Sequence, residues 1–400
     1  MITDERRDFV KHPTDHSMEN HTAITKKLLF VASTRSHILQ FHLPYLRQLA
    51  EEGWTIHVAC GGSDDMIPHV SHVLSLPFKK RIRSWKNFQS TILLRRQLKT
   101  EQYTAIIVHT SLAAFFTRLS LLTLKHRPTV IHMVHGYLFD EQTPFLRRLL
   151  LLTAERLMAP VTDLLITMNT FDYRIAQKYG LARSIRQIPG IGVNFEQLDQ
   201  QAHFVSPDVL RRSLGISPGA CVLIYPAEFS QRKSQRVLLR AMTLLPEHVI
   251  LVLPGIGICL DQCKSLANQL HLSHRVIFPG YVTNIGAWYA MADIAVSSSR
   301  SEGLPFSILE PMHEKTPIVA SAVKGHVDLI HHKENGLLYP YGDWSQCAEQ
   351  IRQLMNEPTL ASTLTECAHM QADLYELSVV QPQVMELYRQ ALNASPSPAH

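Results

Sequence analysis

From residue 26 onward, short runs of apolar and β-branched residues alternate with stretches in which apolar positions recur every three or four residues. The runs fall at 28–32, 55–60, 105–109, 130–134 and 164–168, with helical patterns such as 43–52 and 145–158 between them. A run of this length suits a strand buried on both faces, and a helix between two such strands is the crossover of a parallel sheet. The alternation restarts at 221–225 and continues through 249–253, 275–278, 294–297, 317–320 and 336–339. Beyond Gly342 the pattern stays helical to residue 393, more helix than a second sheet needs, so the last helix is predicted to cross back over the cleft. The fold class predicted is α/β, with two facing Rossmann-like domains. Chain breakers (Pro189-Gly190, Ser206-Pro207, Gly215) put the boundary near residue 205. The expected parts are a loose extension over 1–25, domains over 26–205 and 206–375, and a crossover helix with a polar, disordered tail over 376–400.

The length of 400 residues agrees, because single cores stop growing at roughly 250–300 residues. No apolar core follows a basic start in residues 1–25, so no secretory signal is expected. The most apolar stretch, 111–124, is too short to span a bilayer and carries Arg118. The six cysteines are scattered, as free thiols in a reducing compartment would be. Cys259 and Cys263 have ligand spacing, but no second pair follows. Despite 22 histidines there is no His-Glu-x-x-His, and no Asp-x-Asp occurs, so no metal site is expected. Neither half has Gly-x-Gly-x-x-Gly after its first strand, which argues against a dinucleotide cofactor. Pro254-Gly-Ile-Gly257 is a short fragment of such a pattern and reads equally as a tight turn.

The segment 298–310 follows a predicted strand and opens a helix, with Pro305 in the first turn. Free N–H groups at Phe306, Ser307 and Ile308 would make an anion site at the helix start. Glu302 precedes this turn and Glu310 lies about 7 Å further along the helix axis, so they can contact different parts of an extended ligand. The alternative is an acidic helix start that only complements its dipole. Arg232 and Lys233, after the first strand of the second half, can meet a diphosphate or sit on an ordinary solvated loop. His135 ends a buried strand facing the cleft, where it can bind substrate or serve the structure.

Glu302-x7-Glu310 in Ser-Ser-x-Ser-Glu-Gly-Leu-Pro-Phe-Ser-Ile-Leu-Glu-Pro-Met resembles the family-4 retaining glycosyltransferases of the GT-B fold. So do Phe41-His-Leu-Pro44, His135-Gly-Tyr-Leu-Phe139, Ile188-Pro-Gly-Ile-Gly-Val193, Arg232-Lys-Ser-Gln235 and Phe278-Pro-Gly-Tyr281, and the branch most similar makes capsular and exopolysaccharides. The resemblance implies that Glu302, beside Gly303, holds donor-sugar hydroxyls and that Glu310 holds the ribose. Arg232 and Lys233 would neutralise the diphosphate, helped by the backbone around Phe306, Ser307 and Ile308. His135 would border the sugar, and Tyr281 and Val282 would bracket the base. Two departures stand out: Glu228 occupies the place of an arginine in many relatives, leaving Arg232 for that role, and the Gly-Gly loop after the first strand is replaced by Ser33-Thr-Arg-Ser-His37.

The net charge of +5 hides an asymmetry. Residues 66–100 hold eight basic side chains (Lys79, Lys80, Arg81, Arg83, Lys86, Arg95, Arg96 and Lys99), no acidic one, and the aromatics Trp85 and Phe88. Such a stretch suits an anionic bilayer; a solvated face and a nucleic-acid groove are the other readings, and no nucleic-acid motif accompanies it. The expectation is a cytoplasmic enzyme at the inner membrane face. It would move a hexose or N-acetylhexosamine from a UDP-type nucleotide sugar to a lipid-linked or polysaccharide acceptor, with no cofactor and no metal. The rivals are a nucleotide-sugar 2-epimerase of the same fold and a non-catalytic sugar-nucleotide or membrane-surface binding module.

Overall fold

Residues 26–79 and 84–393 are described in the structure, a computed structural model. The predicted extension 1–25 and the tail 394–400 lie outside the described residues.

The first apolar runs form a seven-stranded sheet of β1 (Lys27–Ala32), β2 (Thr55–Cys60), β3 (His72–Ser75), β4 (Ala105–His109), β5 (Thr129–Val134), β6 (Leu164–Thr167) and β7 (Ser184–Gln187). The order is β3-β2-β1-β4-β5-β6-β7 and every pair is parallel. The second sheet holds β8 (Cys221–Ile224), β9 (Val249–Pro254), β10 (Val276–Gly280), β11 (Ile294–Ser297), β12 (Ile318–Ser321) and β13 (Leu337–Tyr339) in the order β10-β9-β8-β11-β12-β13, also parallel. Helices cover both faces of each sheet, which is why β1, β4 and β5 are buried at nearly every position. The alternation did not reveal β3 and β7. These are the two edges of the first sheet, and their four residues each, His-Val-Leu-Ser and Ser-Ile-Arg-Gln, are short and polar as edges tend to be. The strand predicted at 275–278 instead runs to Gly280 through Pro279, which an edge strand tolerates.

The chain changes domain before residue 205. Ile188 and Ile191 are still packed in the first core, where the Tyr45 hydroxyl donates to the Ile191 carbonyl, whereas Phe195 and Leu198 are buried in the second. The reason is the apolar i, i+3 pair on helix Phe195–Ala202, which seats this helix against the second domain. The chain returns beside its outward path: Val193 N–H donates to the Tyr375 carbonyl and Leu377 N–H to the Val193 carbonyl. Helix Leu377–Asn393 then buries Val380, Val384, Met385 and Tyr388 in the first core, so the last helix crosses back as the sequence predicts.

Candidate functional site

In each sheet the winding reverses between the first strand and its later neighbour, and loops leaving the strand ends part there to open a crevice. In the second domain that point lies between β8 and β11. The loop after β8 carries Arg232 and Lys233 and the loop after β11 carries Ser298 to Pro305, so both predicted segments meet. They are stitched by backbone: Arg300 N–H donates to the Arg232 carbonyl at 2.8 Å and Ser298 Oγ to the Lys233 carbonyl at 2.9 Å.

Glu302 is the centre of this junction. Its buried carboxylate lies 2.5 Å from Arg232 Nη1 and 2.7 Å from Lys233 Nζ, and it accepts a hydrogen bond from Ser299 Oγ. Burial pushes its carboxyl pKa up, but Lys233 and Arg232 outweigh that and hold it below the usual carboxylate range. The carboxylate that the resemblance assigns to sugar hydroxyls and the cations assigned to diphosphate therefore form one cluster, a coupling that spacing alone did not reveal.

Helix Phe306–His313 opens at Pro305, which is the extended residue before the first turn rather than inside it. One expected donor is spent: Ile308 N–H donates to the Pro305 carbonyl at 3.0 Å, closing a tight turn at the start of the helix. Phe306 and Ser307 remain at the helix mouth, and Ser307 Oγ is buried without a hydrogen-bond partner. Glu310 accepts from the Tyr289 hydroxyl at 3.0 Å; burial pushes its pKa up to about 7 against the opposing effects of Tyr289 and Lys233. Tyr281 is largely exposed at the end of β10 and Val282 packs against the second core. The fragment Pro254-Gly-Ile-Gly257 has a packing reason: a Cβ on Gly255 would stand 2.0 Å from the Ala227 carbonyl oxygen, so glycine lets the β9 loop lie against the β8 loop.

The first domain forms the opposite wall. A Cβ on Gly303 would lie 2.1 Å from the His135 carbonyl oxygen, so the Glu302–Gly303 turn is pressed onto the end of β5. Contacts of Lys324, Asn169 and Thr170 that the sequence did not suggest hold the domains there. Lys324 Nζ donates to the carbonyls of Tyr137 and Phe139 and pairs with Asp172 at 3.1 Å. Asn169 Nδ2 donates to the Gly303 carbonyl at 3.3 Å, and Thr170 N–H to Asp328 Oδ1 at 2.7 Å. His135 is not alone: ring nitrogens of His37, His42, His109 and His135 lie within 4.8 Å of one another.

The basic stretch is described in part. Lys80, Arg81 and Arg83 lie outside the described residues. Lys79 and Lys86 are exposed, and Trp85 stacks on Phe88 at the start of helix Trp85–Thr100. Across helix Ser111–Leu121 from it, helix Phe145–Met158 turns Leu152 and Met158 inward and leaves Phe145, Leu146, Leu149, Leu150 and Leu157 exposed, with Arg147 and Arg156 beside them. No helix among the described residues is long and apolar enough to cross a membrane.

Residues 45–194 match the family model Glycosyltransferase Family 4, and residues 207–370 match Glycosyl transferases group 1. The chain is 33% identical over 348 residues to the putative glycosyltransferase EpsD of Bacillus subtilis, covering 85% of this chain and 90% of that protein. It is 22% identical over 366 residues to the UDP-Gal:alpha-D-GlcNAc-diphosphoundecaprenol alpha-1,3-galactosyltransferase of Escherichia coli, covering 88% and 93%. Anabaena HepE, solved in complex with UDP and glucose, shares the fold with a TM-score of 0.72 at 18% identity over 91% of this chain and all of that one.

Proposed function

Given that the chain belongs to the family-4 glycosyltransferases and has their GT-B fold, we propose that it is a retaining enzyme. It moves a hexose or N-acetylhexosamine from a UDP-sugar to a lipid-linked or polysaccharide acceptor at an anionic membrane surface. The observation that carries the reading is the buried Glu302 carboxylate clasped by Arg232 and Lys233 beside the unpartnered Ser307 hydroxyl. UDP suits the site because HepE was solved with UDP, and a lipid-linked acceptor suits it because the Escherichia coli relative is named for one.

In this reading Glu302 accepts hydroxyls of the donor sugar, Glu310 accepts those of the ribose, and the Tyr281–Val282 backbone borders the base. Arg232, Lys233 and the helix mouth at Phe306 and Ser307 neutralise the diphosphate. The acceptor oxygen bonds to the anomeric carbon on the face from which the diphosphate oxygen departs, and the acceptor proton passes to that oxygen. No protein nucleophile is involved, so the chain contributes chiefly by stabilising charge on the leaving group. His135 borders the sugar from the first domain. The membrane is met by Trp85, Lys86 and the apolar stripe of helix Phe145–Met158.

The test is a panel of nucleotide sugars scored by thermal stabilisation, followed by turnover of the best donor with and without a diphosphate-lipid glycan. UDP release that depends on acceptor, with an α-linked product from an α-donor, supports the proposal. Conversion of the donor to its 2-epimer without acceptor would overturn it.

A further inference from the structure

We propose that His37, His42, His109 and His135 bind one divalent transition-metal ion of the zinc class, at the cleft end of three adjacent strands of the first sheet. His37 lies in helix Arg35–Phe41 after β1 and His42 directly follows that helix; His109 ends β4 and His135 follows β5. These strands are neighbours in the order β1-β4-β5, so the topology brings together four residues spread over nearly a hundred positions. The site is in the first domain, apart from the cations of the diphosphate cradle, and it does not depend on the glycosyl-transfer reading.

The geometry suits a tetrahedral ion. With zinc–nitrogen bonds of about 2.0–2.1 Å, nitrogen atoms around the metal stand about 3.3 Å apart. His42 Nε2 lies 3.2 Å from His37 Nε2, and His109 Nδ1 lies 3.1 Å from His135 Nε2. The widest separation among the four ligand atoms, 4.8 Å, is within reach of ring rotation. An ion takes one lone pair from each of four rings, whereas N–H···N pairing engages only two. Burial lowers the pKa of all four rings, with neighbouring histidines adding to this at His42, His109 and His135, so they are present as the neutral imidazoles that metal binding requires. Four imidazoles with no carboxylate suit zinc, copper or nickel rather than magnesium or calcium.

The surroundings are fixed in advance. Phe30 stacks on His109 with ring centroids 4.3 Å apart. Thr110, the next residue, holds φ at 63°, an unfavourable state for a β-branched residue. It is anchored there by Ser33, whose N–H lies 3.1 Å and whose Oγ lies 2.6 Å from Thr110 Oγ1. A closed set of four protein ligands is the signature of a structural ion. It would hold the loops after β1, β4 and β5 in register.

The test uses the full chain, first analysed for metal as purified without chelator and then stripped and titrated with Co2+ alone. Roughly one ion per chain and a saturable visible absorption of four-coordinate Co2+, displaced by Zn2+, are expected. His37 is partly exposed on a short helix, so His37→Ala keeps its circular dichroism while weakening Co2+ binding at least as much as the roughly 10- to 100-fold loss typical of a supporting residue. His72→Ala, on edge strand β3 outside the cluster, leaves Co2+ binding unchanged and so ties the ion to these four rings. No saturable Co2+ absorption in the stripped parent, or a folded His37→Ala that binds Co2+ as the parent does, overturns the proposal. These readouts do not involve transfer, so metal binding and glycosyl transfer stand or fall separately.

Discussion

The ammonium of Lys324, in the second domain, lies 3.1 Å from the carboxylate of Asp172 in the first, and both side chains are buried. Burial pushes the Asp172 pKa up, while Lys324, Asn169 and the Tyr137 N–H pull it back. The pair locks the domains at the site because each charge has its partner only when the cleft is in this arrangement.

Lys324→Met should therefore destabilise the chain by about 3–5 kcal/mol, the usual penalty for leaving one charge of a buried pair. Asp172 is then a buried carboxyl with a raised pKa. Its folded state holds its proton longer than the unfolded chain does, so the loss grows as pH rises and shrinks in mild acid. Denaturant melts of parent and variant at several pH values check this; an equal loss at every pH would show that Asp172 is not the group left unpaired.

Glu302→Gln should separate nucleotide binding from transfer. Removing the carboxylate frees Arg232 and Lys233 for the diphosphate, so UDP binds as well as before or more tightly. The hydrogen bonds to sugar hydroxyls lose their charge, each worth about 1.5–3 kcal/mol, so turnover falls about 10- to 100-fold or more. Calorimetry with UDP and single-turnover transfer check the two halves, and a parallel loss of both would contradict the assignment of Glu302 to the sugar.

Lys233→Met removes a charge-assisted contact and should weaken UDP binding about 10- to 100-fold. It also removes one of the two cations that hold Glu302 ionised. Because the depressed Glu302 pKa contributes stability that is present above the unfolded value and lost on acidification, the variant, which has less of that contribution, should be less stable than the parent near neutral pH, and the gap should close as pH falls below the ordinary carboxyl range. Turnover of the parent should not require added Mg2+ or Mn2+, and a strict dependence on either would contradict neutralisation of the diphosphate by these side chains.

Glu310 and Glu314 both have carboxyl pKa values pushed up to about 7, chiefly by burial. Ionised Glu310 can accept both ribose hydroxyls, so UDP affinity should rise from about pH 6 to pH 8 and Glu310→Gln should flatten the profile. Stability runs the other way. The folded chain binds more protons than the unfolded one between the ordinary carboxyl value of 4.5 and about 7, so this contribution is complete below 4.5 and is lost as pH rises through 7.

Exchanging Leu146 and Leu150 for Ser should weaken binding to anionic vesicles about 10-fold or more, since each buried methylene contributes about 0.8 kcal/mol. Exchanging Lys86 and Arg147 for Ser should weaken it further and reduce its salt dependence, at about 1 kcal/mol for each charge near the surface. Both sets of side chains are exposed, so the fold should be unaffected. Sedimentation with vesicles measures the change, and unaltered binding would remove the membrane from the proposed function.

Much of this protein was legible along the chain. A buried parallel strand must be apolar on both faces, so β1, β2, β4, β5, β8, β9 and β11 stood out as runs and the two-domain α/β architecture followed. The segments around Arg232 and Glu302 were legible for a similar reason, because a loop that leaves a strand end at a topological switch point carries its chemistry within a few residues. Edge strands β3 and β7 were not, since an edge gains from being short and polar. The transition between domains came before residue 205 because two apolar residues on one helix, Phe195 and Leu198, outweighed the breakers after them. Only the tertiary structure decided that Glu302 bridges both cations, that Ile308 N–H is already engaged, and that Lys324 meets Asp172. It alone brought His37, His42, His109 and His135 into one cluster. Such contacts are set by which strands lie side by side, a relation between distant parts of the chain that local pattern and spacing do not encode.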